Sequence, residues 1–179
     1  MNYKKIAKFI KDARNLIIWN NGREQWISDG IAAYPVLGMP TMNESEMLMF
    51  LGLYDQADKI SVRTNELPDW IKNLTYEGNF DIALGPSISE AGGICRVYYT
   101  EQGAIVLKNK YFDAVEHNAD EAIITYQLTS DKNPGIAVFI GFDLVAVVLP
   151  IVTRGLSEKY MKLVNMLQLR DNKAEDTKS

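Results

Sequence analysis

Apolar and polar positions along the chain change period several times, and each change marks an element. Tyr3, Ile6, Phe9, Ile10 and Ala13 recur at helical spacing with lysines on the opposite side, which predicts a helix over Tyr3–Arg14. Leu16–Trp19, Glu24–Ser28 and Ile31–Val36 then read as three strands. Asn21-Gly22 between the first two predicts a type I′ hairpin turn, which needs positive φ at both central residues. Asp29-Gly30 supplies the next turn. After the breakers Pro35, Gly38 and Pro40, Asn43 and Glu46 stand at capping-box spacing. Met47, Leu48, Phe50 and Leu51 give the helix they open an apolar face, and Gly52 ends it.

Further along, Ile60–Thr64 and Phe80–Leu84 are expected as strands, Leu67–Leu74 as holding one helical turn, and Gly85–Gly93 as loop. Ile94–Thr100 and Ala104–Leu107 form a hairpin around Gln102-Gly103, and Asn109 caps a helix over Lys110–His117. Glu121–Thr129, Ile136–Ile140 and Leu144–Leu149 are strands, the first two joined by a turn over Ser130–Gly135. The unbroken apolar run Leu144–Leu149 predicts a strand covered on both faces. Ser157 caps a last helix striped by Tyr160, Met161, Val164 and Leu167, and residues 170–179 form a polar tail expected to be disordered.

Two blocks therefore share an outline, a helix followed by a small antiparallel meander. The predicted fold is α+β, with two such halves in one domain over 1–169, residues 37–93 inserted between them and a C-terminal helix.

Composition narrows the function classes. With 47% apolar and 23% charged residues over 179 positions, the chain is long enough to bury a core without disulfides or metal. No uncharged apolar run approaches the roughly 18 residues of a membrane span, and no signal-peptide pattern is present, so a cytoplasmic protein with no membrane contact is expected. Cys95 is the only cysteine and His117 the only histidine, which excludes disulfide frameworks and Cys/His zinc clusters. Net charge is −4 and uneven. Residues 1–14 set Lys4, Lys5, Lys8, Lys11 and Arg14 against Asp12 alone, whereas residues 43–143 hold 16 acids and 7 bases. An acidic body suits a basic protein surface better than it suits nucleic acid, leaving the first helix as the place for phosphate contact.

Catalytic signatures are missing: there is no G-x-S-x-G elbow and no Gly-Lys-Ser/Thr phosphate loop. His117 is placed at a helix end and Cys95 at the start of an apolar strand, both read as structural. Asp113 and Glu116 lie three apart, followed by Asp120-Glu121, a spacing that would allow a carboxylate-bound divalent metal but equally describes a solvated helix end. The expectation is a non-enzymatic binding protein with no cofactor and no metal. Its partner contacts are sought at Lys4, Lys5, Lys8 and Lys11 and at Trp19, Trp26 and Trp70, because tryptophan is enriched at interaction hot spots.

Two resemblances add to this. Val106-Leu107-Lys108-Asn109-Lys110-Tyr111-Phe112-Asp113-Ala114-Val115 resembles the segment opening the last helix of a bacterial sliding-clamp domain, and Val147-Val148-Leu149-Pro150-Ile151 resembles its final strand. The likeness implies a clamp-like domain and a replication accessory role, although a ring needs several such domains and residues 37–93 have no clamp counterpart. Gln25-Trp26-Ile27-Ser28-Asp29-Gly30-Ile31-Ala32-Ala33-Tyr34-Pro35 is similar to segments of small proteins from phages and mobile elements of gut Firmicutes, among them anti-CRISPR inhibitors of Cas9. That likeness implies a protein partner, a Cas9-type effector with its guide RNA, whose basic channel an acidic body would complement. Inhibition of such a nuclease is the leading expectation, and the clamp-like replication accessory the alternative.

Overall fold

The computed structural model describes residues 1–76, 83–84, 87–90, 93–100, 103–116, 124–129 and 135–150. The turn over 130–134, His117, Asp120-Glu121, the helix from Ser157 and the tail 170–179 lie outside the described residues.

Helix α1 (Tyr3–Ala13) starts where the Asn2 side chain accepts from the Lys5 amide. It stops at Arg14, whose φ of 53° lets its amide reach the carbonyls of Ile10 and Lys11. Of the stripe read from the spacing, Ile6, Phe9 and Ile10 are buried, Tyr3 is half-buried and Ala13 is exposed, while Ala7 joins the buried side. Strands β1 (Asn15–Asn20), β2 (Gln25–Ser28) and β3 (Ala32–Pro35) follow as an antiparallel meander. The β1–β2 turn departs from the type I′ expectation. Of its residues only Gly22 takes a positive φ (83°), and the loop runs over four residues with Asn21 Oδ1 accepting from the amides of Arg23 and Glu24. The asparagine side chain thus forms the turn that its backbone was expected to form.

Helix α2 (Glu44–Phe50) carries the reciprocal Asn43/Glu46 capping box and closes as predicted, with Gly52 at φ 68° and the Leu53 amide on the Leu48 carbonyl. A 3₁₀ helix (Tyr54–Lys59) leads into β4 (Ser61–Glu66), which pairs parallel with β1, and into the single turn α3 (Asp69–Lys72). Strands β5 (Ala83–Leu84) and β6 (Ile88–Glu90) both pair with β7 (Gly93–Thr100), whose other edge takes β8 (Gly103–Lys108). The loop expected over Gly85–Gly93 therefore contains a strand, because β7 offers residues 88–90 a ladder that their polar composition does not announce.

The helix expected over Lys110–His117 is broken into a 3₁₀ turn (Asn109–Tyr111) and the short α4 (Asp113–Glu116). Asn109 does not cap it. Its side chain accepts from Arg96 Nε and donates to Asp113 Oδ1, so a partner distant in sequence captures the capping group. Strands β9 (Ile124–Leu128), β10 (Ile136–Ile140) and β11 (Asp143–Val148) form the second antiparallel meander.

The seven-stranded sheet has the order β4-β1-β2-β3-β11-β10-β9. Its two meanders join through Ala32↔Val148 and Ala33↔Val147, antiparallel, so the halves run as local two-fold mates. The helices preceding each meander come together: Asn2 N–H donates to the Ala114 carbonyl at 2.7 Å and Lys5 Nζ to the Asp113 carbonyl at 3.2 Å. A buried junction ties the halves again. Asp29 accepts from the amides of Ile31 and Ala32 and from Tyr111 Oη at 2.9 Å, while Tyr34 Oη donates to the Tyr111 carbonyl.

Strand alternation sorts the core. Leu16, Ile18, Ile27, Tyr34, Ala146 and Val148 face the helices, with Tyr98, Leu107 and Phe112 from the second sheet's side. Trp26, Ala33 and Val147 face the other way, under Leu67 and Ile71 around α3. Strand β11 is thus covered on both faces, as its unbroken apolar run predicts.

Candidate functional site

The sequence nominates two groups of residues, and the sheet separates them. Lys4, Lys8 and Lys11 stand at i, i+4 and i+7 on α1, so they form one exposed stripe. The chain returns alongside this stripe through Leu51–Leu53 and the 3₁₀ helix, leaving two adjoining hollows of about 420 and 520 Å³ that share Lys11, Asp12 and Gln56. Arg14 and Lys59 line the second hollow, which brings five cations to one trough. Asp12 is the one acid in the lining. Among the described residues the only ion pair joins Lys72 to Asp69, so the trough cations have no carboxylate partner there. Their charge is available to an anion.

Lys5 departs from the expectation. It is half-buried and spends its ammonium on the Asp113 carbonyl, tying α1 to α4 instead of facing a partner. Sequence reasoning missed Arg14 and Lys59. Arg14 was legible as a cation near the helix end, but Lys59 sits in the unplaced segment, and only the return of that segment along α1 makes it part of the trough.

Trp19, Trp26 and Trp70 meet in the apolar cluster on the opposite face of the sheet. Trp19 and Trp26 are cross-strand partners, and Trp70 arrives on α3. Trp26 is buried, which removes it from the open surface expected of a partner contact; Trp19 and Trp70 are half-buried. The cause is α3, which covers this end of the sheet.

Elsewhere, Cys95 is fully buried in β7, as a small core residue. Asp113 is engaged with Asn109, and no group of three or more metal-ligating side chains occurs among the described residues. Burial, followed by the charge of Asp29, pushes the Tyr34 and Tyr111 hydroxyls well above the ordinary tyrosine value. Both are held protonated as hydrogen-bond donors in the junction. No described helix is long and apolar enough to cross a membrane. Comparison with family models, curated proteins and solved structures gives no match.

Proposed function

We propose that this protein is a non-enzymatic interaction partner of a nucleic-acid-processing machine, a replication accessory built on a clamp-like domain that holds phosphate backbone through the α1 trough. The observation that carries the reading is the placement of five cations with no ion-pair partner among the described residues, Lys4, Lys8, Lys11, Arg14 and Lys59, along one trough of an otherwise acidic chain. The clamp-like part draws on the paired helix-plus-meander halves, whose helices lie side by side. Backbone contact through lysine and arginine carries no sequence preference and is salt-dependent.

Fluorescence anisotropy with a labelled DNA duplex tests this. Five phosphate contacts predict a log K against log salt slope of about −4.5. The Lys4→Glu/Lys8→Glu/Lys11→Glu variant is expected to lose binding, and Asp12→Asn to strengthen it. A wild-type protein with no measurable affinity at low salt removes the reading.

A second reading, a phage or mobile-element inhibitor of a Cas9-type nuclease, is favoured by the exposed acids of the inserted segment, Glu44, Glu46, Asp55, Asp58, Glu66 and Asp69. These would face the effector's basic channel. Undiminished target cleavage by several guide-loaded Cas9 orthologues in its presence would sink this form. A carboxylate-metal enzyme at Asp113 and Glu116 is the third class, and calorimetric titration with Mg²⁺ or Mn²⁺ that releases no heat eliminates it.

A further inference from the structure

A separate cleft of about 340 Å³ opens on the tryptophan side of the sheet. Its walls come from the β1–β2 turn, the end of β3, the β10–β11 turn and α3 with the residues after it. The half-buried Leu74 and Leu144 are its accessible apolar lining among polar groups, with Trp26, Leu67 and Ile71 buried behind them, and the volume falls in the ordinary range of ligand clefts.

Three observations mark the cleft as more than a packing gap. First, its rim holds large apolar side chains in water: Phe142 is 81% exposed and Leu37 48%. Scattered exposed apolar residues need no explanation, but these two flank one cleft. Phe142 is also held in place. Gly141 at φ 63° makes a two-residue hairpin turn, and the ring packs edge-on against Tyr76 at 5.0 Å. Second, Trp26 is only 3% exposed, yet its indole N–H has no acceptor among the described residues. A buried unpaired donor costs about 1–3 kcal/mol, so the wall behind the cleft carries a polar demand that the described residues do not meet. Third, the rim charge is unbalanced. The Lys72 ammonium is held by Asp69 at 3.3 Å, whereas the exposed carboxylates of Glu24 and Asp143 have no cationic partner among the described residues.

We propose that this cleft docks a short linear segment of a partner protein, in which a large apolar side chain is flanked by lysine or arginine. The apolar anchor packs on Leu37, Leu74 and Leu144 beside the exposed Phe142 ring. The basic flank meets Glu24 and Asp143, and the rim charge selects it over an acidic peptide. This site lies across the sheet from the cationic trough, and neither depends on the other.

The test is NMR titration of ¹⁵N-labelled protein with the peptide acetyl-Lys-Lys-Leu-Phe-Lys-amide. The expected result is a saturable shift of the Trp26 indole signal and of the Ile71, Leu74 and Phe142 amides, with the α1 amides unmoved. Affinity should fall roughly tenfold when Leu-Phe is replaced by Ala-Ala, and again when the lysines are replaced by glutamates. Phe142→Ala, at a solvent-exposed turn, should weaken peptide binding by a similar factor while leaving DNA affinity unchanged. The Glu24→Lys/Asp143→Lys variant should prefer the glutamate peptide. The proposal is overturned by an unmoved Trp26 signal at millimolar peptide, or by equal binding of the Ala-Ala peptide, which would mark plain charge attraction. Dimerisation abolished by Phe142→Ala would overturn it too, since the occupant would then be a second copy.

Discussion

The two faces of the seven-stranded sheet are covered in different ways. The helix face is closed by α1, α2, α4 and side chains of the second sheet, and its largest members, Tyr34, Tyr111, Phe112, Ile10 and Leu16, are almost fully buried. Among the described residues the other face is covered chiefly by α3 and the residues beside it, and its smaller cluster of Trp26, Ala33, Leu67, Ile71 and Val147 lies beside a cleft. Among the described residues the larger buried cluster therefore lies on the helix side and the smaller one beside the cleft. On the readings proposed above, the helix side offers its outer cations to a phosphate backbone, while the other side holds the exposed Phe142 ring within a partner's reach.

Substitutions on the two sides should break or sharpen this contrast. Phe112→Ala, at a fully buried site contacting Tyr98 and Tyr126, is expected to cost about 4 kcal/mol in urea unfolding. A loss below about 1 kcal/mol would mean that this core is not tightly packed. Asp29→Ala strips the acceptor from two backbone amides and from Tyr111 Oη, and about 3 kcal/mol is expected. Asp29→Asn keeps one acceptor and should cost less. Ile71→Ala on the thin face is expected at about 2 kcal/mol, the low end for such a truncation, because walls beside a cleft can collapse inward. A cost matching Phe112→Ala would erase the contrast.

The smallest effect is expected in alkali. Tyr34 and Tyr111 have folded values raised above the unfolded value of 10.0, so their contribution is complete below that pH. It declines as pH rises beyond 10, where the unfolded chain ionises first. Urea midpoints from pH 8 to 11 should fall, and Tyr111→Phe should flatten the fall. An unchanged slope in that variant would remove Tyr111 from the explanation.

Much of the architecture was readable because it rests on local patterns. The α1 stripe, the Asn43/Glu46 box, Gly52 and the run into β11 each express chemistry contained within a few residues. What was unreadable depends on distant partners. Strand β6 exists because β7 is beside it, Asn109 was diverted by Arg96, and β4 joins β1 in parallel after a long excursion. The site divides similarly. The lysine stripe was visible as spacing, but the trough also needs Lys59 from a segment with no helical signature, and the burial of Trp26 needs α3.

The central pairing of β3 with β11 has a consequence for biosynthesis. Ala32 and Ala33 acquire their neighbours only when Val147 and Val148 have been made. Until then the first meander carries an unpaired strand edge, the kind of surface that recruits another chain. Contacts this distant in sequence also slow folding. The nascent chain passes through a long interval in which its first half is complete in sequence but unsealed in structure, and a holding chaperone at β3 would be most useful then.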